Sequence, residues 1–191
     1  MTEDAPAPLS WETLDSEVAY TCPGFDVVNE AVRLPDGTET DFDYLAEGES
    51  VVVLPFTADG DVVVIEEWRQ AVDRVNFGLP AGSMEGADAD VETAARRELR
   101  EETGYEADSV EHLASYEPAN GFADAVFHYV VAEGCTPTAS QDLDFNESIR
   151  VDTTPFDALR EQVAAGDLRD GRTALAVTQY LLDPGPGPAA R

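Results

Sequence analysis

The chain contains no lysine, and each of its 11 basic residues is an arginine. Against these 11 residues stand 40 aspartates and glutamates, so the formal net charge at pH 7 is −29. A basic stripe that could follow a nucleic-acid backbone is missing, and we therefore expect no nucleic-acid partner. Mimicry of a nucleic acid is the alternative for so acidic a chain, but the carboxylates are dispersed along the sequence rather than patterned.

An excess of one charge this large destabilises a compact state through self-repulsion. At molar salt the Debye length is only about 3 Å, and the repulsion largely disappears. The composition therefore predicts a cytoplasmic protein of an extreme halophile, kept in solution by a hydrated coat of carboxylates. We expect its fold to lose stability when the salt concentration falls below molar.

Other features are scarce as well. Cys22 and Cys135 lie in unrelated contexts and imply no disulfide framework, and with His112 and His128 they make no zinc-binding spacing. Residues 1–4 form neither a basic nor an apolar leader region, so we expect no signal peptide. No apolar run approaches the roughly 18 residues of a membrane span, so we expect no membrane partner. With 191 residues, 43% of them apolar, the chain is long enough for one domain with a core and an extension.

Three carboxylates are crowded into one turn at the end of a predicted helix. Glu98 precedes Glu101 by three residues and Glu102 by four, so all three side chains project from roughly one face. Like charges at this spacing repel each other, and a hard divalent cation would offset the repulsion, since Mg²⁺ and Mn²⁺ prefer carboxylate oxygens. Gly104 follows as the expected left-handed cap of the helix. The alternative is a solvated acidic face without a ligand.

The sequence around this turn resembles the Nudix box, whose pattern is G-x5-E-x7-R-E-U-x-E-E-x-G-U, where U is apolar. The matching residues are Arg97, Glu98, Leu99, Glu101, Glu102, Gly104 and Tyr105.

One position departs from the pattern. Counting back from Arg97 places Ala89 where the box has its first glutamate, whereas counting forward from Gly82 gives Asp88. The loop is thus one residue longer, and the nearest carboxylates are Asp88 and Asp90. Asp90 is also well placed as the helix N-cap.

The order of predicted elements indicates an α/β fold. A β-hairpin of residues 25–34 and 39–45 comes first, because two alternating segments flank the turn at 35–38. The resemblance implies that a Nudix α/β/α sandwich with a mixed sheet follows this small antiparallel hairpin sheet. The expected organisation is an extension over residues 1–47, a Nudix hydrolase domain over 48–183 and a flexible tail over 184–191.

Four further segments are informative, namely Leu34-Pro35-Asp36-Gly37, Phe42-Asp43-Tyr44, Glu67-Trp68-Arg69-Gln70-Ala71 and Leu79-Pro80-Ala81-Gly82. Together they resemble the ADP-ribose pyrophosphatase branch of the Nudix hydrolases. In that branch the N-terminal sheet helps to form a homodimer and supplies aromatic contacts to adenine. Phe25, Phe42 and Tyr44 are the candidates here, although each would serve equally well in the hairpin core. A second departure is Ala125, where the branch has a glutamate, with Asp124 beside it.

The resemblance implies Mg²⁺-dependent hydrolysis of the pyrophosphate of ADP-ribose or a related nucleoside diphosphate sugar, with Mn²⁺ as a substitute metal. The products would be AMP and a sugar phosphate. The implied metal ligands are Glu98, Glu101, Glu102 and the backbone carbonyl of Ala81, with Glu101 and Glu102 also catalytic. Arg97 is expected to hold a carboxylate in its rotamer without touching the metal.

Two further side chains complete the expected site. Arg69 is a candidate for a bidentate contact with a phosphate, or else a surface arginine at a strand end. Glu147 is the first candidate to accept the proton of the attacking water and Asp144 the second, unless their loop is merely acidic like the rest of the chain.

Other functions stay open on the sequence. One alternative is a Nudix hydrolase that acts on a different substrate: another nucleotide sugar, a dinucleoside polyphosphate or an oxidised nucleoside triphosphate. A Nudix module that binds a nucleotide without catalysis is the alternative from a different class. The intact set of Glu98, Glu101 and Glu102 argues against such a module.

Overall fold

The computed structural model describes residues 9–183. Its first sheet is antiparallel and has the strand order β1-β2-β3. The predicted hairpin is present as β2 and β3, and β1 adds a third strand paired with β2 from Glu12 opposite Arg33 to Cys22 opposite Phe25. Almost every residue of β1 is exposed, so it lacks the buried alternation by which the hairpin was recognised. The strands are β1 (Glu12–Cys22), β2 (Phe25–Arg33) and β3 (Glu39–Ala46).

The second sheet is mixed and lies among three helices. Its central strands β4 and β10 are parallel, while β5 and β11 add antiparallel strands on one side. This arrangement confirms the predicted α/β fold. The strands are β4 (Glu49–Thr57), β5 (Asp61–Arg69), β6 (Arg74–Gly78), β7 (Ala81–Ser83), β8 (Tyr105–Glu106), β9 (Ser109–Tyr116), β10 (Val126–Pro137) and β11 (Ile149–Pro155), and the helices are α1 (Val91–Thr103), α2 (Phe156–Ala165) and α3 (Gly171–Leu182).

The chain divides into two compact units. Of the described residues, one unit takes in 9–48 together with Glu117–Ala125, and the other takes in Glu49–Tyr116 and 126–183. Within the first unit, the backbone N–H of Leu45 donates to the carbonyl of Phe122 at 2.9 Å. The segment between β9 and β10 is therefore part of the unit that contains the three-stranded sheet.

Successive side chains of the central strands point to opposite faces of the mixed sheet, so each face carries a hydrophobic core. Val52 and Leu54 of β4 pack in a cluster with Leu159 of α2 and Val177 of α3. On the opposite face, the neighbouring residues of β4 pack in a cluster with α1; its members include Val51, Val53, Ala94, Ala95 and Leu99. Both faces of β4 are thus buried, which explains its almost continuous apolar sequence.

Helix α1 has defined signals at both ends. Asp90 is the N-cap, and its carboxylate accepts the backbone N–H of Thr93 at 2.8 Å. Gly104 ends the helix with φ at 74°, and a Cβ at this position would overlap with the carbonyl oxygen of Ala139. Only glycine satisfies both demands. The end of the acidic turn therefore lies close to the backbone of Ala139.

Two expectations concern parts of the chain outside the described residues. The expectation about a signal peptide concerns residues 1–4 and the expectation of a flexible tail concerns 184–191, and both segments lie there. Among residues 9–183, no helix is long and apolar enough to cross a membrane.

Candidate active site

Two glutamates of α1 are buried against the turn that joins β6 to β7. Glu98 is 8% exposed and Glu102 is 3% exposed. One carboxylate oxygen of Glu102 accepts the backbone N–H of Ala81 at 2.9 Å. The carboxylate of Glu98 lies over Gly82, where a Cβ would overlap with both of its oxygens. The loop can approach the helix this closely because position 82 has no side chain.

Burial in this space makes ionisation of both groups unfavourable. Desolvation raises the pKa of Glu98 to about 7, and hydrogen bonds from Arg97 oppose the rise. Desolvation also raises the pKa of Glu102 to about 8, opposed by the hydrogen bond from Ala81 and reinforced by the charge of Glu98. Near neutral pH this pair therefore needs protons or a cation.

Arg97 is the cation that the chain itself provides. Its Nη1 donates to Glu98 at 2.7 Å and to Glu101 at 3.0 Å. Its Nη2 donates to Asp88 at 2.9 Å and to the carbonyl of Ser83 at 2.9 Å. A planar guanidinium suits this task because its donors point in fixed, divergent directions. Arg97 thus ties the acidic face of α1 to the preceding loop.

The lengthened loop places a carboxylate on Arg97 despite the departure at Ala89. Asp88 accepts both Nε and Nη2 of Arg97, at 3.2 and 2.9 Å. Hydrogen bonds from Arg97 hold the pKa of Asp88 below its usual range. Of the two aspartates in question, Asp88 contacts Arg97 and Asp90 caps the helix.

The loop after β10 is anchored to the end of α1. Its backbone N–H at Asp142 donates to the carbonyl of Glu101 at 2.9 Å, and the side chain of Gln141 donates to the carbonyl of Glu102 at 2.6 Å. Glu147 is half-buried in this loop and accepts the backbone N–H of Asp144 at 2.9 Å.

Of the two loop acids, Glu147 acts on the buried pair through its charge, which helps to raise the pKa values of both Glu98 and Glu102. Asp144 is exposed, and its backbone N–H donates to the carboxylate of Glu147.

Arg69 contacts an acid that the sequence did not single out. Its Nη2 lies 2.6 Å from Oε2 of Glu67, which is 7% exposed. No donor is aligned for a hydrogen bond with that buried oxygen, so the contact is one of charge. Desolvation raises the pKa of Glu67, while the charges of Arg69 and Arg172 lower it. The sequence could not distinguish Glu67 from its neighbour Glu66, because both faces of β5 are otherwise apolar.

The aromatic candidates belong to the other unit. Phe42 and Tyr44 stack with ring centroids 6.4 Å apart, and both line a cavity of about 330 Å³ together with Phe122. Phe25 is partly exposed and is not among the residues that line this cavity. These rings thus provide an apolar recess in the first unit.

The second departure, at Ala125, leaves no free carboxylate at that position. Ala125 is buried. The carboxylate of its neighbour Asp124 accepts the backbone N–H groups of Glu47 at 2.8 Å and Gly48 at 3.4 Å. Asp124 is therefore engaged in holding the chain after β3.

The donor set of the acidic turn fits a divalent cation. Among residues 9–183, no three Asp, Glu, His or Cys side chains are spaced as ligands of one metal ion. Arg97 and the backbone N–H of Ala81 hold the carboxylates of the acidic turn. One feature that supports the fit is the chemistry of Glu98 and Glu102, which are desolvated carboxylates with raised pKa values. The other is the space that Gly82, having no side chain, leaves for the carboxylate of Glu98. Oxygen ligands of this kind suit Mg²⁺ or Mn²⁺.

Comparisons with known proteins agree with this geometry. The family profile described as the NUDIX domain matches residues 47–174. The ADP-ribose pyrophosphatase of Bacillus subtilis (strain 168) is 31% identical over 91% of this chain and 93% of its own length. The methanol dehydrogenase activator of Bacillus methanolicus is 31% identical over 78% of this chain and 80% of its own. A crystal structure of an ADP compounds hydrolase superposes with a TM-score of 0.78 over 90% of this chain and 92% of the other, at 20% identity.

The chain therefore belongs to the Nudix family. It is an enzyme, a Nudix-type hydrolase of compounds in which a nucleoside diphosphate is linked to another group. Hydrolases of this family generally use a divalent metal ion.

Gly82→Ala tests the contact between the loop and the buried pair. The new Cβ would displace the carboxylate of Glu98, and we expect turnover of a nucleotide sugar to fall by about 10²-fold, as a 1 Å misplacement in a site can cause. Gly86→Ala is the matched control, because a Cβ at Gly86 meets nothing within 4 Å. Steady-state kinetics and thermal melts of both variants give the comparison. Equal turnover in the two variants would show that the close approach at Gly82 is unimportant.

Proposed function

We propose that this enzyme hydrolyses the pyrophosphate of ADP-ribose or a closely related nucleoside diphosphate sugar, with Mg²⁺ as its cofactor. Water is added across the phosphoanhydride, and AMP and a sugar phosphate are released. The observation that carries the proposal is the buried pair Glu98 and Glu102, whose raised pKa values create a demand for a cation. The likeness to the Bacillus subtilis ADP-ribose pyrophosphatase over nearly the whole chain supports the substrate class.

The cation would be held by Glu98, Glu101, Glu102 and the backbone carbonyl of Ala81. Bound there, Mg²⁺ supplies neutralisation of the pyrophosphate charge and a water of lowered pKa. The protein contributes position, since Arg97 holds Glu98 and Glu101 by hydrogen bonds within 3.0 Å.

Arg69 would bind an oxygen of the pyrophosphate with the donors that do not face Glu67. The contact between Glu67 and Arg69 at 2.6 Å fixes one side of the guanidinium. An arginine that is held in advance loses less side-chain entropy when a phosphate arrives. Glu67 is thus a positioning residue for Arg69 in this scheme.

Glu147 would accept the proton of the attacking water. Two observations support this role: Glu147 is half-buried, and its charge acts on Glu98, Glu102 and Glu67. The loop that carries it is fixed to α1 through the backbone of Asp142. A general base needs this combination of closeness and restraint.

The first unit would bind adenine and form the homodimer, so that residues 1–47 act as the extension and 48–183 as the hydrolase domain. The stacked rings of Phe42 and Tyr44 beside an open cavity support an adenine contact, with Phe25 as a less favoured candidate. Support for the dimer comes from large apolar side chains left exposed on and beside β1, namely Trp11, Leu14, Val18 and Tyr20.

The cellular setting rests on composition. A net charge of −29 with arginine as the sole basic residue supports a halophilic source. The low cysteine count is consistent with a cytoplasmic enzyme.

A substrate panel tests the proposed reaction. In molar KCl with Mg²⁺, we expect ADP-ribose to be hydrolysed faster than GDP-mannose, a dinucleoside polyphosphate or an oxidised nucleoside triphosphate. Chelation with EDTA should abolish turnover, and Mg²⁺ or Mn²⁺ should restore it. Glu101→Gln should lower kcat by about 10² or more, the scale of a lost electrostatic term in the transition state.

Glu92→Gln is the matched control, because Glu92 is exposed on the first turn of the same helix. Chromatography of the products identifies AMP and the sugar phosphate. Binding of ADP-ribose without hydrolysis would instead identify a non-catalytic nucleotide-binding module. Normal turnover of Glu101→Gln would refute its assignment as a ligand.

A second experiment separates the loop acids. Glu147→Gln should lower kcat by roughly 10²–10⁴, the usual contribution of general-base catalysis. It should leave the affinity for Mg²⁺ nearly unchanged, because Glu147 is not among the proposed ligands. Asp144→Asn removes a charge from the same loop and should be mild. A severe loss in Asp144→Asn with a mild one in Glu147→Gln would reassign the base, and mild losses in both would leave the deprotonation to a glutamate of α1.

A further inference from the structure

Arginine is scarce in this chain, and most of the described arginines are held by carboxylates. The arginines that form an ion pair with a carboxylate are Arg33, Arg69, Arg97, Arg100, Arg150, Arg160 and Arg172. Among residues 9–183, the arginines without an ion pair are Arg74, Arg96 and Arg169, and Arg96 donates to the carbonyl of Ala107 at 2.7 Å. Arg74 and Arg169 are thus uncompensated positive charges in a protein that carries an excess of carboxylates.

These two arginines line the same cleft. It lies between β6 and the segment that links α2 to α3, and its volume is about 270 Å³. Arg74 donates from Nε to the side-chain oxygen of Asn76 at 2.7 Å, which leaves its terminal nitrogens without a partner among the described residues. Arg169 has no hydrogen-bond partner in this part of the chain and is exposed. Gln162 adds an amide to the lining.

The acids of the cleft do not cancel these charges. Asp170 accepts Nη2 of Arg172 at 2.9 Å and the backbone N–H of Thr173 at 3.1 Å, so its charge is already compensated. Asp167 is exposed and is the remaining carboxylate of the lining. Two guanidinium groups therefore face a single free carboxylate, and the cleft is locally positive.

The strand that lines the cleft pairs with a strand of the candidate active site. In the antiparallel pair of β5 and β6, Arg69 lies opposite Arg74 and Glu67 lies opposite Asn76. Directly opposed residues project to the same face, as do alternate residues of one strand. The row of side chains therefore runs from the buried Glu67 past Arg69 to the cleft.

We propose that this cleft is a binding site for the phosphomonoester group of a small molecule, separate from the pyrophosphate centre. Guanidinium forks match phosphate oxygens with paired, charge-assisted hydrogen bonds. In a chain of net charge −29, a dianion is repelled from most of the surface, and an uncompensated arginine pair is where it can be held. The volume of about 270 Å³ suits a phosphate with a small sugar.

Calorimetric titration tests the proposal without hydrolysis. Ribose 5-phosphate, AMP and inorganic phosphate are each titrated into the full chain in molar KCl with EDTA, so that no metal occupies the acidic turn. We expect saturable binding of ribose 5-phosphate. Arg74→Gln and Arg169→Gln should each weaken it by about tenfold, the scale of one charge-assisted hydrogen bond. Asp167→Asn should tighten it several-fold, because it removes the free carboxylate.

Two controls locate the site. Arg160→Gln removes an arginine that is paired with Asp157 on α2 and does not line the cleft, so it should have no effect. Arg69→Gln should weaken binding less than Arg74→Gln does, because Arg69 is already engaged by Glu67. Thermal melts show whether each variant is folded, and Arg74→Lys, which retains the charge, should keep part of the affinity.

The relative affinities of the three compounds show which part of the ligand the cleft recognises. Equal affinity for all three compounds supports a site that recognises the phosphate alone, and tighter binding of ribose 5-phosphate supports one that also recognises the sugar. The proposal is wrong if none of the compounds binds, or if Arg69→Gln rather than Arg74→Gln abolishes binding. Because neither Mg²⁺ nor turnover enters the measurement, this result is independent of the proposed hydrolysis.

Discussion

The site is organised by the shared burial of two glutamates, Glu98 and Glu102, on one face of α1. A desolvated pair of carboxylates is unfavourable by itself, and the surrounding residues compensate for it. The backbone N–H of Ala81 donates to Glu102, and Arg97 donates to Glu98 and reaches Asp88 across the loop. Gly82 allows the loop to approach closely enough for both contacts. These contacts do not compensate all of the negative charge of the two carboxylates, and a divalent cation would neutralise the remainder.

The absence of lysine has a structural counterpart in how the arginines are used. A lysine at position 97 would be a point charge and could not direct donors to two carboxylates of the helix and to Asp88 at the same time. In a chain of net charge −29, most arginines are paired in this way. Within residues 9–183, the two arginines that are neither paired nor bound to a carbonyl line the same cleft, and this favours the cleft as an anion site.

The parts of the fold that follow from local patterns could be predicted from the sequence. The helix of the acidic turn, its cap at Gly104 and the apolar strand β4 all follow from periodicity and turn chemistry. Strand β1 could not be predicted in this way, because its exposed residues carry no alternation. Pairing with β2, which follows after the two residues at 23–24, decides its structure.

The same distinction applies to the site. The carboxylates of α1 are adjacent in sequence, so their common face was predictable. Other features depend on how separate segments pack. They are the contact of Asp88 with Arg97, the burial of Glu67 rather than Glu66, and the cleft that Arg74 and Arg169 both line. No local pattern distinguishes these residues in a chain where acidic residues occur almost everywhere.

The most direct test of the account is the coupling between Mg²⁺ binding and proton release. The pKa values of Glu98 and Glu102 are raised to about 7 and about 8, so the metal-free protein holds protons on this pair at pH 7. Because the proposed Mg²⁺ site needs both carboxylates ionised, binding of Mg²⁺ should release protons, and its affinity should rise between pH 6 and pH 8 and then level off. Calorimetry in two buffers of different ionisation enthalpy measures the protons released, and Glu98→Gln should release fewer. An affinity that is flat over this range, with no proton release, would contradict the claim that the buried pair is the metal site.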